Sequence, residues 1–95
     1  MDIFVDIDGT LTVETDGHGY RLYSNRTPRK DIIKKINRLY YDGNHITIWT
    51  ARYKEDEKVT KDWLWYNGVK FHSLIFDKPK FDLYICDRVL NVEDL

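Results

Sequence analysis

The chain has 95 residues, a length that holds one small domain and excludes a second core of ordinary size. Its 15 Lys and Arg nearly balance its 16 Asp and Glu, which excludes a general attraction to nucleic acid or to an anionic membrane but leaves room for a local patch. The lone Cys86 excludes an internal disulfide framework and a cysteine-rich zinc site. The sequence shows neither an apolar run of about 20 residues nor a signal peptide, so we expect a single cytoplasmic domain over residues 1–95 with no membrane partner.

Short apolar runs alternate with helical stretches along the chain, which is typical of an α/β fold. The predicted elements, in chain order, are a buried strand at 3–7, a β-hairpin at 11–24, a helix from Thr27-Pro28 to Asp42-Gly43, a strand at 45–49, a helix at 55–66, and strands at 71–76 and 83–86. The helical stripes that we expect to face inward are Ile32, Ile33, Ile36, Leu39 and Tyr40 in the first helix and Val59, Trp63, Leu64 and Tyr66 in the second, with Trp65 outward. The pattern predicts a Rossmann-like three-layer sandwich with a small, mostly parallel sheet and a hairpin flap after the first strand.

Polar side chains follow each predicted strand, at the edge of a parallel sheet where ligands usually bind. These candidate site residues are Asp6, Asp8 and Gly9 after the first strand, Thr50 and Arg52 after the second, Lys78 after the third and Asp87 after the fourth. Two carboxylates one residue apart point the same way while a strand stays extended. The sequence therefore predicts acids, a hydroxyl and a cation gathered at one rim.

Phosphoryl transfer is the chemistry that this set of side chains suits. One carboxylate can attack phosphorus and form an acyl phosphate, while a second carboxyl passes a proton to the leaving oxygen and then activates water. Lys78, the Thr50 hydroxyl and nearby backbone N–H groups such as that of Gly9 would hold the phosphoryl oxygens. Mg²⁺ on the carboxylates would neutralise charge, with Asp87 as an extra ligand.

Four motifs in this chain resemble those of the haloacid dehalogenase superfamily of phosphatases and phosphotransferases. They are Asp6-Ile7-Asp8-Gly9-Thr10, the strand 46–52 with Thr50 near its end, Lys78-Pro79, and the run 82–87. The resemblance implies that Asp6 is the nucleophile and Asp8 the general acid/base, and that Thr50 and Lys78 bind the phosphoryl group. It also implies that the Asp6 carboxylate, the Asp8 backbone carbonyl and Asp87 hold Mg²⁺.

A narrower resemblance, carried by 60–64 and Lys78-Pro79, is to a small branch without a cap domain that is associated with polysaccharide or sugar-phosphate biosynthesis. The chain departs from that branch at Cys86, where an acid usually stands, and at Asn91, where some members carry another acid.

The 19 residues between Thr10 and Lys30 are too few for a cap, so the flap or a second subunit would shield the site. The resemblance also implies that the third and fourth strands lie on opposite sides of the first strand. The six residues 77–82 that connect them are barely long enough to span that distance.

The residues leave several alternatives open. Arg52 suits a substrate phosphate or a neighbouring acid, and Lys80 competes with Lys78. The run of basic residues favours a solvated helix face over a nucleic-acid site without excluding the latter; it consists of Arg26, Arg29, Lys30, Lys34, Lys35 and Arg38.

We expect a Mg²⁺-dependent phosphomonoester hydrolase acting on a small sugar phosphate. The alternatives are a nucleotide or nucleic-acid end phosphatase and a non-enzymatic phosphate-binding or receiver-like module, with a homo-oligomer left open.

Overall fold

A computed structural model describes residues 1–13 and 23–95 of the chain. The α-helices and strands are β1 Asp2–Val5, α1 Lys30–Tyr41, β2 His45–Trp49, α2 Glu57–Tyr66 and β3 Ser73–Ile75. The strands form one parallel sheet in the order β1-β2-β3. The predicted α/β class and parallel sheet are confirmed, and the described residues contain no cap domain.

One face of the sheet carries the hydrophobic core. The strand register sets Ile3 beside Ile46 and Val5 beside Ile48, so these side chains share a face. The helices pack on this face through apolar residues that recur at helical spacing. The buried cluster consists of Val5, Ile7, Leu11, Ile32, Ile33, Ile36, Ile46, Ile48, Trp63, Leu64 and Val69. The described residues thus form the sheet and one helical layer of the expected sandwich.

The opposite face of the sheet leaves large apolar side chains partly exposed to solvent. Phe4 stays 56% exposed and Ile75 44% exposed, although both belong to strands. Their neighbour Trp49 meets Phe4 edge to face, with the ring centroids 5.8 Å apart. We call the surface formed by Phe4, Trp49 and Ile75 the open face.

The first helix begins later than Thr27-Pro28 predicts. Its first helical residue is Lys30, and Arg29 precedes it without a side-chain cap. Pro28 instead forms an antiparallel bridge with Thr12, flanked by a hydrogen bond from the Val13 N–H to the Thr27 carbonyl. This pairing holds the chain extended just where the Thr-Pro pattern favours a helix start, so tertiary contact overrides the local signal.

The second helix confirms Trp63 and Leu64 as buried and Trp65 as exposed. The prediction that Tyr66 faces inward is wrong, because that side chain is 83% exposed at the last turn before Asn67 ends the helix. Thr60 is buried on this face. A buried face predicted from apolar residues alone leaves out Thr60, because threonine carries a hydroxyl and is not counted as apolar.

The predicted strand at 83–86 is wrong for this structure, since the residues have no strand partner and are exposed. The strand predicted at 71–76 is present but reduced to β3.

The flap predicted at 11–24 falls largely on residues 14–22, outside those described. Residues 11–13 and the turn Tyr23–Asn25 flank them. Neither α1 nor α2 has the length and apolarity that crossing a membrane requires.

Candidate active site

Asp6 lies directly after β1, at the carboxyl end of the sheet. Its carboxylate is half-buried, accepts a 2.8 Å hydrogen bond from the Ile7 N–H, and lies 4.0 Å from the Lys78 ammonium. Burial raises the pKa of the Asp6 carboxyl, while the charge of Lys78 opposes that rise and the charge of Asp8 adds to it. A partly desolvated carboxylate beside a cation has fewer water partners than an exposed one, which suits a nucleophile.

Asp8 forms a two-pronged ion pair with Arg52. The Arg52 Nη2 lies 2.7 Å from Oδ1 of Asp8, and Nε lies 3.0 Å from Oδ2. The Arg52 side chain is 1% exposed, whereas that of Asp8 is 38% exposed. The planar guanidinium therefore fixes the orientation of a carboxylate that solvent or a substrate can still reach.

Two residues that the sequence analysis did not single out complete the surroundings of Arg52. The Thr60 hydroxyl, on the buried face of α2, accepts a 3.1 Å hydrogen bond from Nη1. The Tyr23 ring lies under the guanidinium, 3.8 Å from Cζ to the ring centroid. Burial raises the pKa of the Tyr23 phenol, against the charge of Arg52. The position of Thr60 one helical turn before Trp63 is the sequence signal that could have identified it.

Thr50 and Gly9 shape the backbone of the two loops. Thr50 is buried, its hydroxyl accepts a hydrogen bond from the Arg52 N–H, and its carbonyl accepts one from the Lys78 N–H. Gly9 has a φ of +83°, a conformation that side chains with a Cβ rarely adopt, and its N–H donates to the Thr12 hydroxyl. The Lys78–Thr50 bond joins the loops after β3 and β2, and the Arg52–Asp8 ion pair joins the loop after β1 to them.

The structure places Lys78, rather than Lys80, beside Asp6. The Lys78 side chain is 16% exposed, and its ammonium lies over the Trp49 ring, 5.1 Å from the centroid. The Lys80 ammonium points instead to the Tyr53 hydroxyl, 3.3 Å away. A fixed, half-desolvated cation next to a candidate nucleophile is well placed to hold a phosphoryl oxygen.

Asp87 is not brought to this site. Its side chain is 85% exposed, and its contacts are with its neighbours Cys86 and Arg88. Among residues 1–13 and 23–95, no three His, Cys, Asp or Glu side chains meet in a way that could hold a metal ion. The side chains assembled here therefore do not fit the magnesium site that the sequence predicts, because one acid is missing from it.

Comparison with solved structures adds a fold-level likeness. The chain is similar to a structural-genomics target from Vibrio cholerae, with a TM-score of 0.81 and 27% identity over 98% of this chain and 85% of that one. It is also similar to a chain in the structure of a Pnkp1/Rnl/Hen1 complex, with a TM-score of 0.70 and 15% identity over 90% of this chain and 30% of that one. No protein-family model and no curated protein matches the chain.

Proposed function

We propose that the protein is a phosphomonoester hydrolase of the haloacid dehalogenase type. The observation that carries the proposal is the joint placement of Asp6, Asp8 and Lys78 at the carboxyl end of a parallel sheet, with Asp6 half-buried against the Lys78 ammonium. The four motifs in family order support the same reaction. The likeness to a chain of the Pnkp1/Rnl/Hen1 complex gives weak support to a phosphatase or nucleic-acid end-processing role.

Asp6 carries the covalent step in this proposal. One carboxylate oxygen attacks phosphorus in line with the ester oxygen, so a P–O bond to Asp6 forms as the P–O bond to the alcohol breaks. The departing alkoxide takes a proton from the Asp8 carboxyl, which leaves Asp8 as the carboxylate that Arg52 holds in this structure. Asp8 then accepts a proton from water, which attacks phosphorus and releases inorganic phosphate from Asp6.

Arg52 acts in this reaction as a positioning residue. Its Nε and Nη2 atoms donate to Asp8, its Nη1 atom donates to Thr60, and its side chain is only 1% exposed, so we assign it to holding the Asp8 carboxylate rather than to binding phosphate. Lys78 and the Thr50 hydroxyl are left to hold the phosphoryl oxygens. Magnesium is the proposed cofactor. The Asp6 carboxylate and the Asp8 backbone carbonyl would hold it together with Asp87, the acid that one copy of the chain leaves outside the site, and it would supply charge neutralisation.

A small sugar phosphate is the proposed substrate class, from the narrower family resemblance. A nucleic-acid end phosphatase is the second candidate, favoured by the likeness to a chain of the Pnkp1/Rnl/Hen1 complex. Two cations of the basic run are occupied by the end of the chain, Arg29 by Glu93 and Lys35 by the Leu95 carbonyl. This occupation weakens the case for a nucleic-acid surface on α1.

Hydrolysis of para-nitrophenyl phosphate tests the proposed reaction directly. The wild-type chain should release nitrophenol with Mg²⁺ and lose that activity with a chelator, and Asp6→Asn should reduce it to background. A folded wild-type chain that hydrolyses neither the aryl phosphate nor any member of a panel of sugar phosphates, nucleotides and phosphorylated oligonucleotide ends would contradict the proposal. A lasting acyl phosphate without turnover would favour the receiver-like alternative.

A further inference from the structure

The segment 81–90 is the largest unexplained feature of the molecule. All ten residues are exposed, and none lies in a helix or strand. Six of them are large apolar residues, Phe81, Leu83, Tyr84, Ile85, Val89 and Leu90, with exposed fractions from 51% to 86%. Exposed apolar side chains at this density are typical of an interface rather than of a solvated loop.

The sheet offers a surface that matches this segment. Within the described residues β1 pairs only with β2, so the backbone groups on its other edge have no strand partner. The open face beside that edge carries Phe4, which is 56% exposed. An apolar strand added along β1 would satisfy the backbone groups and cover the apolar face together.

The chain is too short between Lys78 and Leu83 to make this pairing comfortably with its own β1. The Lys78 N–H is bonded to the Thr50 carbonyl, at the carboxyl end of β2. Because Lys78 follows β3 and bonds to β2 from that side, a parallel strand beyond β1 would start about 13 Å away along the strands and three strand spacings, or about 14 Å, to the side. Five residue steps reach at most about 17 Å, which is less than the roughly 19 Å between these two points.

We infer that two copies of the chain exchange their C-terminal segments, with 83–86 of each copy pairing in parallel along β1 of the other. A short, strained hinge favours exchange over closure within one chain, because a second copy removes the need to turn back. Six large apolar side chains from each copy bury on the order of 1,000 Å² together, which approaches the area of a stable dimer interface.

The exchange also completes the catalytic site, a point that rests on the proposed function. Residues 83–86 and β1 Asp2–Val5 are four residues each, and the residues that follow them are Asp87 and Asp6. Parallel pairing end to end therefore sets the partner subunit's Asp87 beside Asp6 at the carboxyl end of the sheet. The acid that one copy lacks at its site comes from the other copy.

The mass of the full chain in solution, by light scattering across a concentration series, tests the exchange without any activity. Wild type should be a dimer. Ile85→Lys should raise the dimer dissociation constant at least 100-fold, because a charge replaces an apolar side chain at the new strand. Trp65→Lys, on the exposed side of α2, is the matched control and should remain dimeric. A wild-type chain that is monomeric throughout would overturn the inference.

Lengthening the hinge separates exchange from other kinds of dimer. Six Gly and Ser residues inserted between Lys80 and Phe81 give the segment enough reach to pair with its own β1. The lengthened chain should therefore be a folded monomer, with circular dichroism like that of wild type. A dimer that persists in the lengthened chain would overturn strand exchange and indicate a dimer built on the open face alone.

Mixing two inactive variants tests the shared site once wild type is known to turn over. In a mixed dimer of Asp6→Asn and Asp87→Asn, the Asp87→Asn copy keeps its own Asp6 and gains an intact Asp87 from the other copy. One of the two sites is therefore complete. After co-refolding, the mixture should recover about a quarter of wild-type activity, the statistical share of such sites. No recovery with an active wild type would overturn the shared site. An inactive wild type would defeat the proposed function instead, while the mass measurements still decide the exchange.

Discussion

The Arg52 guanidinium joins three separate parts of the chain at the candidate site. It binds the Asp8 carboxylate from the loop after β1, the Thr60 hydroxyl from α2 and the Tyr23 ring. Because its side chain is fully buried, these contacts compete little with water. Asp8 therefore has one preferred orientation, which is what a group that must pass a proton in a fixed direction requires.

Arg52→Lys should separate positioning from phosphate binding. Lysine keeps the charge but cannot bind both Asp8 oxygens with a planar fork, so Asp8 loses its orientation. We expect kcat to fall about 100-fold with KM changed little. A rise in KM at constant kcat would instead identify Arg52 as a phosphate ligand. Arg38→Lys on the exposed side of α1 is the control and should behave as wild type.

Lys78 and Lys80 form a matched pair for the phosphoryl-binding role. The Lys78 ammonium lies 4.0 Å from Asp6, whereas that of Lys80 contacts Tyr53. Lys78→Ala should lower kcat/KM about 100- to 1,000-fold, the usual cost of removing a group that stabilises charge in the transition state. Lys80→Ala should stay within about twofold of wild type. Equal losses in the two variants would contradict the assignment.

Asp6 should make stability depend on pH in a definite direction. Burial raises the pKa of its carboxyl in the folded state, so that state holds the proton more tightly than the unfolded chain does. The free energy of unfolding therefore falls as pH rises through the acid range and the carboxyl ionises. Asp6→Asn should melt above wild type at neutral pH, with the gap closing toward acid pH.

Thermal melts from acid to neutral pH measure that gap. Asp2→Asn, at the exposed start of β1, is the control and should follow the wild-type profile. A gap that widens toward acid pH would contradict the raised pKa of Asp6.

Helix α2 buries Thr60, Trp63 and Leu64 on one face and leaves Trp65 on the other. Trp63 is 4% exposed and donates from its indole N–H to the Arg26 carbonyl, while Trp65 is 83% exposed. Helical periodicity predicts this difference, because residues two apart lie on nearly opposite sides of a helix. It does not predict that Thr60 holds Arg52, since that contact depends on how the helix docks.

Trp63→Ala and Trp65→Ala should differ strongly in stability. Trp63→Ala removes a large buried side chain and a hydrogen bond, so it should lower the free energy of unfolding by about 3–5 kcal/mol. Trp65→Ala should change it by no more than about 0.5 kcal/mol. Urea titrations of the two variants compare them directly. Similar losses would mean that α2 buries a different face.

At the scale of the whole molecule, the parallel sheet and the positions of Asp6, Asp8 and Lys78 follow from the sequence. Buried apolar runs identify strands, and polar residues after them fall at one edge. The start of α1 did not follow, because its extended bridge to Thr12 is a long-range contact. The contacts of Arg52 with Tyr23 and Thr60 did not follow either, because they depend on how the turn Tyr23–Asn25 and α2 dock against the loop after β2.

The run 83–86 shows a further limit of sequence reasoning. Its apolar character favours a strand as a local preference, but a strand forms only where another strand supplies backbone partners. One copy of the chain does not supply that partner to it in this structure. Whether the run is a strand is therefore a property of the assembly rather than of the segment, which is why the exchange proposed above matters to the site.

The central claim is that Asp6 is the nucleophile. Acid quenching during turnover of an aryl phosphate, followed by peptide mass spectrometry, measures it most directly. We expect one added phosphoryl group on the peptide that contains Asp6, present in wild type and absent from Asp6→Asn. Turnover that proceeds at wild-type rate in Asp6→Asn, or a phosphoryl group found on another residue, would contradict it.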